Sequence, residues 1–547
     1  MTLAAVWSRI RRKAAPDRLR AGLNSLPRWQ RRGGLVLLGA IAALAHAPVF
    51  FFPALVIGLT ALVWALDGAA RDARPMRAGF ITAFLFGLGY FTAGIFWIAF
   101  AFFSRGPAFA PFGPLAAIGL AAALAVFWGL AGALQARLAG RGPARILLFA
   151  ILLFAAEWMR SYLMTGFPWN LPAYVWAGGG AVSQSAALFG AWGLSLLTLI
   201  GFQTPALLAG RPMRAGRYAP LLVTVLVFAS LFAWGTQRLA APEPGSPTGV
   251  RLRIVQVNIG QQEKWEDGNQ AMVRDRYIEA TGAPGLEHAT HVLWPEGALP
   301  LYLLEDGDTL SPLSRLLADG PTLIAGTPRR DTEAPGGTRY YNSIAAISFP
   351  GGRPRLDGLY DKVLLVPFGE YIPFAGVFRS FGIASLSTMV EGYSPGDGAA
   401  NIQLDNAPPF APLVCYEIVY PLFTPRGSRR PAWIANLSND AWFGPTAGPW
   451  QHLNIARYRA IEEGLPVARA ASGGWSGVID ARGRASRLVG PAEEGAFDFD
   501  LPPARPPTLY SRWQNSVLWM FLACAVAGYV VVRRRTIARL LRRPGRL

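Results

Sequence analysis

Residues 218–257 decide how the whole chain reads. Tyr218-Ala-Pro-Leu-Leu-Val-Thr-Val-Leu-Val-Phe-Ala-Ser-Leu-Phe-Ala-Trp234 is an unbroken apolar run, Ala241-Pro-Glu-Pro-Gly-Ser-Pro-Thr-Gly249 is a linker, and Arg251-Leu-Arg-Ile-Val-Gln-Val257 alternates. The first calls for an apolar environment on every side. The second is too rich in proline and glycine for helix or sheet. The third has the period of two that a half-buried strand imposes. A membrane part therefore ends near residue 236 and an α/β part begins near residue 250.

Working upstream, further apolar stretches run from Gly34 to Pro48, Val49 to Leu66, Ala78 to Phe103, Leu115 to Leu134, Ile146 to Leu163 and Ala186 to Leu208, and one lies downstream, Ser516 to Val532. Several are near the roughly 20 residues a helix needs to cross the hydrocarbon core. With Gly34 to Leu66 divided at Ala47-Pro48, the chain has eight spans. The composition agrees: 547 residues, 52% hydrophobic and 16% charged, exclude an ordinary soluble enzyme of this length.

The net charge of +19 would suggest nucleic acid if the basic residues shared one folded surface, and they do not. Nine precede Gly34, three lie in each of the segments 67–77, 137–145 and 211–217, and seven lie in 533–547. The remaining short loops show only Arg105 and Arg160. Basic loops stay in the cytoplasm, so both termini read as cytoplasmic and residues 250–505 as periplasmic. The layout is a basic N-terminus (1–33), a seven-span bundle (34–236), an extramembrane domain (250–505), an eighth span (516–532) and a basic tail (533–547). A cleaved signal ending at Ala45-His46-Ala47 fits less well, because the basic leader is too long and seven spans would part the two basic ends.

Within residues 250–505, strands are predicted at Arg251 to Val257, His291 to Trp294, Pro321 to Gly326, Asn342 to Ser348, Ala411 to Cys415, Trp433 to Ser438 and Val467 to Ala471, with helices at Asn269 to Thr281 and Trp450 to Glu463. Three motifs stand at strand ends: Trp294-Pro295-Glu296, Tyr360-Asp361-Lys362 and Leu413-Val414-Cys415-Tyr416-Glu417. A thiol needs a base to become the reactive thiolate, and Glu296 is the candidate. A tetrahedral intermediate carries an oxyanion, which Lys362 and the Tyr416 N–H would stabilise. The chain has only two cysteines, and Cys524 lies in the last apolar run, so Cys415 reads as a free thiol.

These motifs resemble the nitrilase, or carbon–nitrogen hydrolase, superfamily and within it the apolipoprotein N-acyltransferases. The resemblance also rests on Leu364-Leu365-Val366-Pro367-Phe368-Gly369-Glu370-Tyr371-Ile372-Pro373, on Ser438-Asn439-Asp440-Ala441-Trp442-Phe443-Gly444 with Trp450-Gln451-His452, and on the seven-plus-one spans. It implies a four-layer αββα sandwich with a Glu296/Lys362/Cys415 triad. It also implies a two-step reaction in which a phospholipid, typically phosphatidylethanolamine, acylates the thiol. The thioester is then attacked by the N-terminal amine of a diacylglyceryl-cysteine on an apolipoprotein. Glu370, Glu417, Tyr416, Trp265 and Asn342 fall on family-matched supporting positions. Neither cofactor nor metal is implied. Ser472-Gly473 departs from the family, which often carries asparagine there.

Each residue has a blander reading. A lone cysteine is usually a small core hydrophobe, and a Glu/Lys pair is usually a structural ion pair. Glu370 and Glu417 would ordinarily be caps or solvated, Trp265 and Tyr416 ordinary packing, and Asn342 a turn residue. His288 and His291 lack the further ligands a metal site needs. Glu157 and Arg160 read as an i, i+3 pair near the interface. The loop Thr165-Gly166-Phe167-Pro168-Trp169-Asn170 reads as interfacial and the apolar stretch Phe374 to Met389 as an acyl groove or lipid anchor. Two rival functions are a membrane-tethered amidase or nitrilase, in which water resolves the acyl-enzyme, and a lipid-binding or transport protein.

Overall fold

The computed structural model describes residues 16–541 except 105, 141, 164–165, 210–217, 244–247, 267, 374–391 and 425–428. The predicted groove Phe374 to Met389 and the basic segment 211–217 therefore lie outside the described residues. The chain divides into two compact units. One comprises Met1–Ala99, Phe112–Leu239 and Trp513–Leu547, the other Phe100–Pro111 and Ala240–Arg512.

The first unit is helical, with helices at Pro16–Ser25, Arg28–Ala42, Phe52–Ala69, Pro75–Gly94, Phe112–Leu138, Pro143–Tyr162, Ala186–Gln203, Ala219–Ala240 and Asn515–Leu541. Proline opens several of them, where its missing N–H costs nothing. Among the described residues, six helices are long and apolar enough to cross a membrane: Phe52–Ala69, Pro75–Gly94, Phe112–Leu138, Val182–Leu208, Ala219–Ala240 and Ser516–Arg534. Two of the eight expected spans fall short. Arg28–Ala42 has only 15 residues, and Pro143–Tyr162 carries Arg145, Glu157 and Arg160. Helices approach closely at small residues: a Cβ on Gly79 would meet the Gly132 carbonyl oxygen at 2.3 Å.

Two expectations for this unit need correction. Ala78 to Phe103 is not one span: the helix ends at Gly94, and Phe100–Pro111 belong to the second unit. Glu157 and Arg160 form the expected ion pair (2.6 Å), but both are fully buried. Arg160 also donates to the carbonyls of Phe167 and Trp169, and Trp128 Nε1 donates to Glu157. Trp169 and Asn170 are consequently buried among protein side chains.

The second unit holds two six-stranded sheets. The strands are β1 (Arg251–Gln256), β2 (His291–Trp294), β3 (Thr322–Asp331), β4 (Arg339–Ser348), β5 (Arg355–Asp361), β6 (Ile402–Leu404), β7 (Ala407–Val414), β8 (Trp433–Asn439), β9 (Val467–Ser472), β10 (Ser476–Ile479), β11 (Ala485–Val489) and β12 (Gly495–Asp500). Their orders are β12-β1-β2-β3-β4-β5 and β11-β10-β9-β8-β7-β6. In each sheet three central strands are parallel, β1-β2-β3 and β7-β8-β9, and the flanking pairs are antiparallel. The inner faces of both sheets form one core, with Leu252, Ile254, Leu293 and Ile344 against Phe410, Val414, Trp433 and Leu437. The outer face of the first sheet buries Val255, Trp294 and Leu323 against Val273 and Tyr277 of helix Gln270–Thr281 and Leu313 of helix Gly307–Leu316. Helix Gly448–Glu463, almost wholly buried, packs on the second sheet's side, where Arg459 donates to the carbonyls of Ile418 and Val419.

Candidate active site

In sheets with parallel central strands, the strands' carboxyl ends are where ligands bind. Glu296 follows β2, Cys415 follows β7, and Ser438 to Asp440 end β8; Lys362 follows the edge strand β5. Glu296 sits two residues beyond Trp294, where β3 passes so close that a Cβ on Gly326 would lie 2.5 Å from Glu296 Cα. Cys415 opens a short 3-10 turn with φ 48°, a backbone state that non-glycine residues rarely adopt and that clusters at functional sites.

The structure brings the three predicted groups together. Lys362 Nζ lies 3.6 Å from Glu296 Oε1 and 2.8 Å from Glu370 Oε1. Asn342 Nδ2 donates to both carboxylates, at 2.6 Å and 2.7 Å. The second oxygen of Glu296 accepts from Asn439 N–H (2.8 Å) and that of Glu370 from Val366 N–H (2.7 Å). Glu296 acts electrostatically on the Cys415 thiol, and Ser438 Oγ stands 3.3 Å from Sγ.

Burial raises the pKa of Glu296 above the usual carboxylate range, with Lys362 pulling the other way and Glu370 adding to the rise. Burial likewise pushes the Cys415 thiol up, and Glu296 pushes it further. For Lys362 burial acts downward, but Glu370, Glu296 and Cys415 outweigh it, so the ammonium stays charged. The arrangement is a neutral thiol beside a carboxylate of raised basicity and a fixed cation.

Glu417 is neither a solvated residue nor a simple helix cap. Its Oε1 accepts from Tyr360 Oη (2.9 Å), Val363 N (2.8 Å) and Leu364 N (3.1 Å), and its Oε2 from Val414 N (2.8 Å). One buried carboxylate thus ties the lysine loop to the nucleophile turn, and burial brings its pKa up to about 7. Asn342 is a strand residue of β4 bridging two carboxylates, not a turn residue. Tyr416 is buried, edge-on to Tyr420, while Trp265 is 55% exposed and beyond the inner cluster.

Two features were not singled out in the sequence. Lys264 is buried and donates to the Gly297 carbonyl (2.9 Å), with Ser472 Oγ at 3.5 Å; burial brings its pKa down to about 8. Ser472, the family departure, therefore faces this lysine. Asp440, Arg469 and His452 form a buried charged group behind Cys415. Asp440 and His452 stood in quoted motifs, but nothing in spacing alone tied them to the nucleophile.

The fold and the clustered Glu296, Lys362 and Cys415 are of the nitrilase type. Residues 251–505 match the carbon–nitrogen hydrolase family model, and residues 38–201 match that of the apolipoprotein N-acyltransferase N-terminal domain. The chain is 38% identical over 534 residues to the apolipoprotein N-acyltransferase of Rhodopseudomonas palustris, covering 96% of this chain and 99% of that one. It is 38% identical to that of Caulobacter vibrioides over 522 residues (94% and 96%) and 36% identical to that of Allorhizobium ampelinum over 532 (96% and 99%). The chain belongs to the apolipoprotein N-acyltransferase family.

Proposed function

We propose that this chain transfers an acyl chain from a phospholipid, phosphatidylethanolamine being the expected donor, to the N-terminal amine of diacylglyceryl-cysteine on apolipoproteins. Cys415 is the nucleophile, Glu296 the general base and acid, and Lys362 with the Tyr416 N–H the oxyanion donors. In the first half-reaction Glu296 takes the thiol proton, sulfur attacks the ester carbonyl, and the leaving alcohol recovers the proton from Glu296. In the second, Glu296 takes a proton from the attacking amine, the amide C–N bond forms, the C–S bond breaks, and Glu296 returns the proton to the departing thiolate. Splitting the transfer this way replaces one difficult step by two easier ones.

The observation that carries this reading is the convergence of Lys362 and Glu296 at 3.6 Å beside Cys415, in a chain of this family. Glu370, Asn342 and Glu417 position the triad, and Trp265 is a candidate substrate contact. The chain is placed in the bacterial inner membrane with eight spans, both basic ends cytoplasmic and residues 250–505 periplasmic. The distribution of arginines and the short but apolar helix Arg28–Ala42 support that count.

The test is intact-mass analysis of the purified full-length protein after incubation with phosphatidylethanolamine. A hydroxylamine-labile acyl adduct on Cys415 is expected, discharged by a diacylglyceryl-cysteine peptide with formation of the N-acylated peptide. Cys415→Ala should show neither. Transfer persisting in Cys415→Ala would overturn the reading, and discharge by water with the amine ignored would favour the amidase rival.

A further inference from the structure

Three consecutive residues at the end of β8 divide their contacts over the site. Asn439 gives its N–H to the base Glu296, Ser438 places its hydroxyl 3.3 Å from Cys415 Sγ, and Asp440 turns into the core behind them. Ser438 Oγ is also 2.6 Å from Asp440 Oδ1, a short distance that marks a charge-assisted bond. Asp440 is in turn clamped: Oδ2 accepts from Arg469 Nη2 at 2.6 Å, and Oδ1 lies 2.9 Å from His452 Nδ1. Arg469 is fixed by the Trp475 carbonyl (3.1 Å) and by the side-chain oxygen of Asn436, whose amide holds the Leu413 carbonyl. His452 Nδ1 also lies 3.1 Å from Arg469 Nη2, closing the cluster. Ser438, Asp440, His452 and Arg469 are all fully buried.

A buried ionic cluster is expensive, and this one could be replaced by apolar packing at no loss of stability. It reaches the nucleophile's sulfur through Ser438, so its position has a chemical use. The serine has one proton. Beside a neutral thiol, the carboxylate of Asp440 is the better acceptor and holds it. Once Glu296 has removed the thiol proton, a second anion stands 3.3 Å away, and a small rotation of the hydroxyl turns that proton to sulfur. Asp440 keeps Arg469 and His452 and is not left unpaired.

We propose that Ser438 is a further catalytic residue, its hydroxyl stabilising the Cys415 thiolate when it forms before attack and again when it leaves the thioester. Asp440, Arg469 and His452 are positioning residues that aim the hydroxyl. The serine proton never leaves its oxygen: the thiol proton goes to Glu296 and on to the leaving alcohol, while the serine proton only changes its acceptor. The charged and titratable groups facing the sulfur are Glu296, Lys362 and Asp440, and the serine is the neutral donor among them.

This inference rests on the thiol-relay reading, and its test separates the two. In full-length protein carrying Cys524→Ala, so that Cys415 is the remaining thiol, the rate of iodoacetamide alkylation is followed against pH, alongside single-turnover acylation by phosphatidylethanolamine. Losing a hydrogen bond to an anion should slow acylation about tenfold or more in Ser438→Ala and move the alkylation midpoint to higher pH. Ser438→Thr, which keeps the hydroxyl, should restore both. A merely structural serine would lower the thermal midpoint in Ser438→Ala and leave the pH profile where it was. An unmoved profile with acylation at the parental rate overturns the proposal, as does a folded Thr variant no better than Ala. Absence of any acyl adduct in the Ser438-containing parent would instead sink the thiol relay itself.

Discussion

Glu370→Gln isolates what the second carboxylate does for the base. Lys362 Nζ is now 2.8 Å from Glu370 and 3.6 Å from Glu296, so its charge is committed chiefly to the supporting residue. Neutralising Glu370 removes that commitment, and the ammonium should close on Glu296. With an effective dielectric constant of about 20, shortening a pair from 3.6 to 2.8 Å deepens its attraction from about 4.6 to about 5.9 kcal/mol. The difference of about 1.3 kcal/mol is roughly one pKa unit, downward for Glu296. Loss of the repulsion between the two carboxylates acts in the same direction. With Glu296 as the proposed ionised base, the acid limb of the rate of acylation should move to lower pH by about one unit or more. The plateau should fall, because a weaker base and a lysine held by it both serve the transition state less well. Single-turnover acylation by phosphatidylethanolamine, followed by intact mass from pH 4 to 9, reads both effects. A limb that stays in place or moves to higher pH would refute this account of Lys362 and Glu370.

Glu417→Gln should keep three of the four hydrogen bonds through its carbonyl oxygen and turn an NH2 toward Val414 N–H, costing about 1–3 kcal/mol for the unmet donor. The folded pKa of Glu417, about 7, lies above its usual 4.5, so this carboxyl's stabilising contribution is fully present below 4.5 and is lost as pH rises through 7. Thermal melts should therefore show the gap between wild type and variant widening as pH falls from 7 to 4.5, and a constant gap would count against it. Gly326→Ala should force Glu296 to move, since the new Cβ would lie 2.5 Å from its Cα and 2.8 Å from its nitrogen. Acylation should fall about 10²-fold in a protein that still folds, and an unchanged rate would mean that β3 does not fix the base.

What could be read in the sequence followed from how continuous its signals were. β2, β7, β8 and β9 are fully or mainly buried and read as apolar runs, so they stood out, as did the apolar helices. The edge strands β5 (Arg-Leu-Asp-Gly-Leu-Tyr-Asp), the three-residue β6, β11 and β12, and the buried but four-residue β10, were not predicted, because strands that are short or half solvated offer no such run. The triad was legible because each member closes a recognisable strand-end motif. Asn342, Glu370 and Glu417 were named only through the resemblance, and what they touch was not legible, because they work by convergence: Asn342 bridges residues 46 positions before it and 28 after, and Lys264, which was not singled out, reaches Gly297 and Ser472. The burial of Arg160 was missed for a similar reason, since the carbonyls that satisfy it come from a loop that reads as interfacial.

The site's charges also bear on why its lone thiol can rest unspoiled. Lys362 stands 2.8 Å from Glu370 and 3.6 Å from Glu296, one cation to two carboxylates, while Asp440 behind them is balanced by Arg469. The buried cluster is already short of positive charge, so a resting thiolate would add an uncompensated anion, and the thiol is accordingly pushed up. Oxidation tracks thiolate character, so a sulfur kept protonated is a poor target for it. Transfer of the thiol proton to Glu296 escapes that cost, because it moves a negative charge from oxygen to sulfur without creating one. The nucleophile can then be generated at the moment an ester carbonyl is in place to accept it, and Lys362 meets the charge as it passes to the carbonyl oxygen. The same geometry that makes the free thiol inert makes its attack on a bound ester inexpensive.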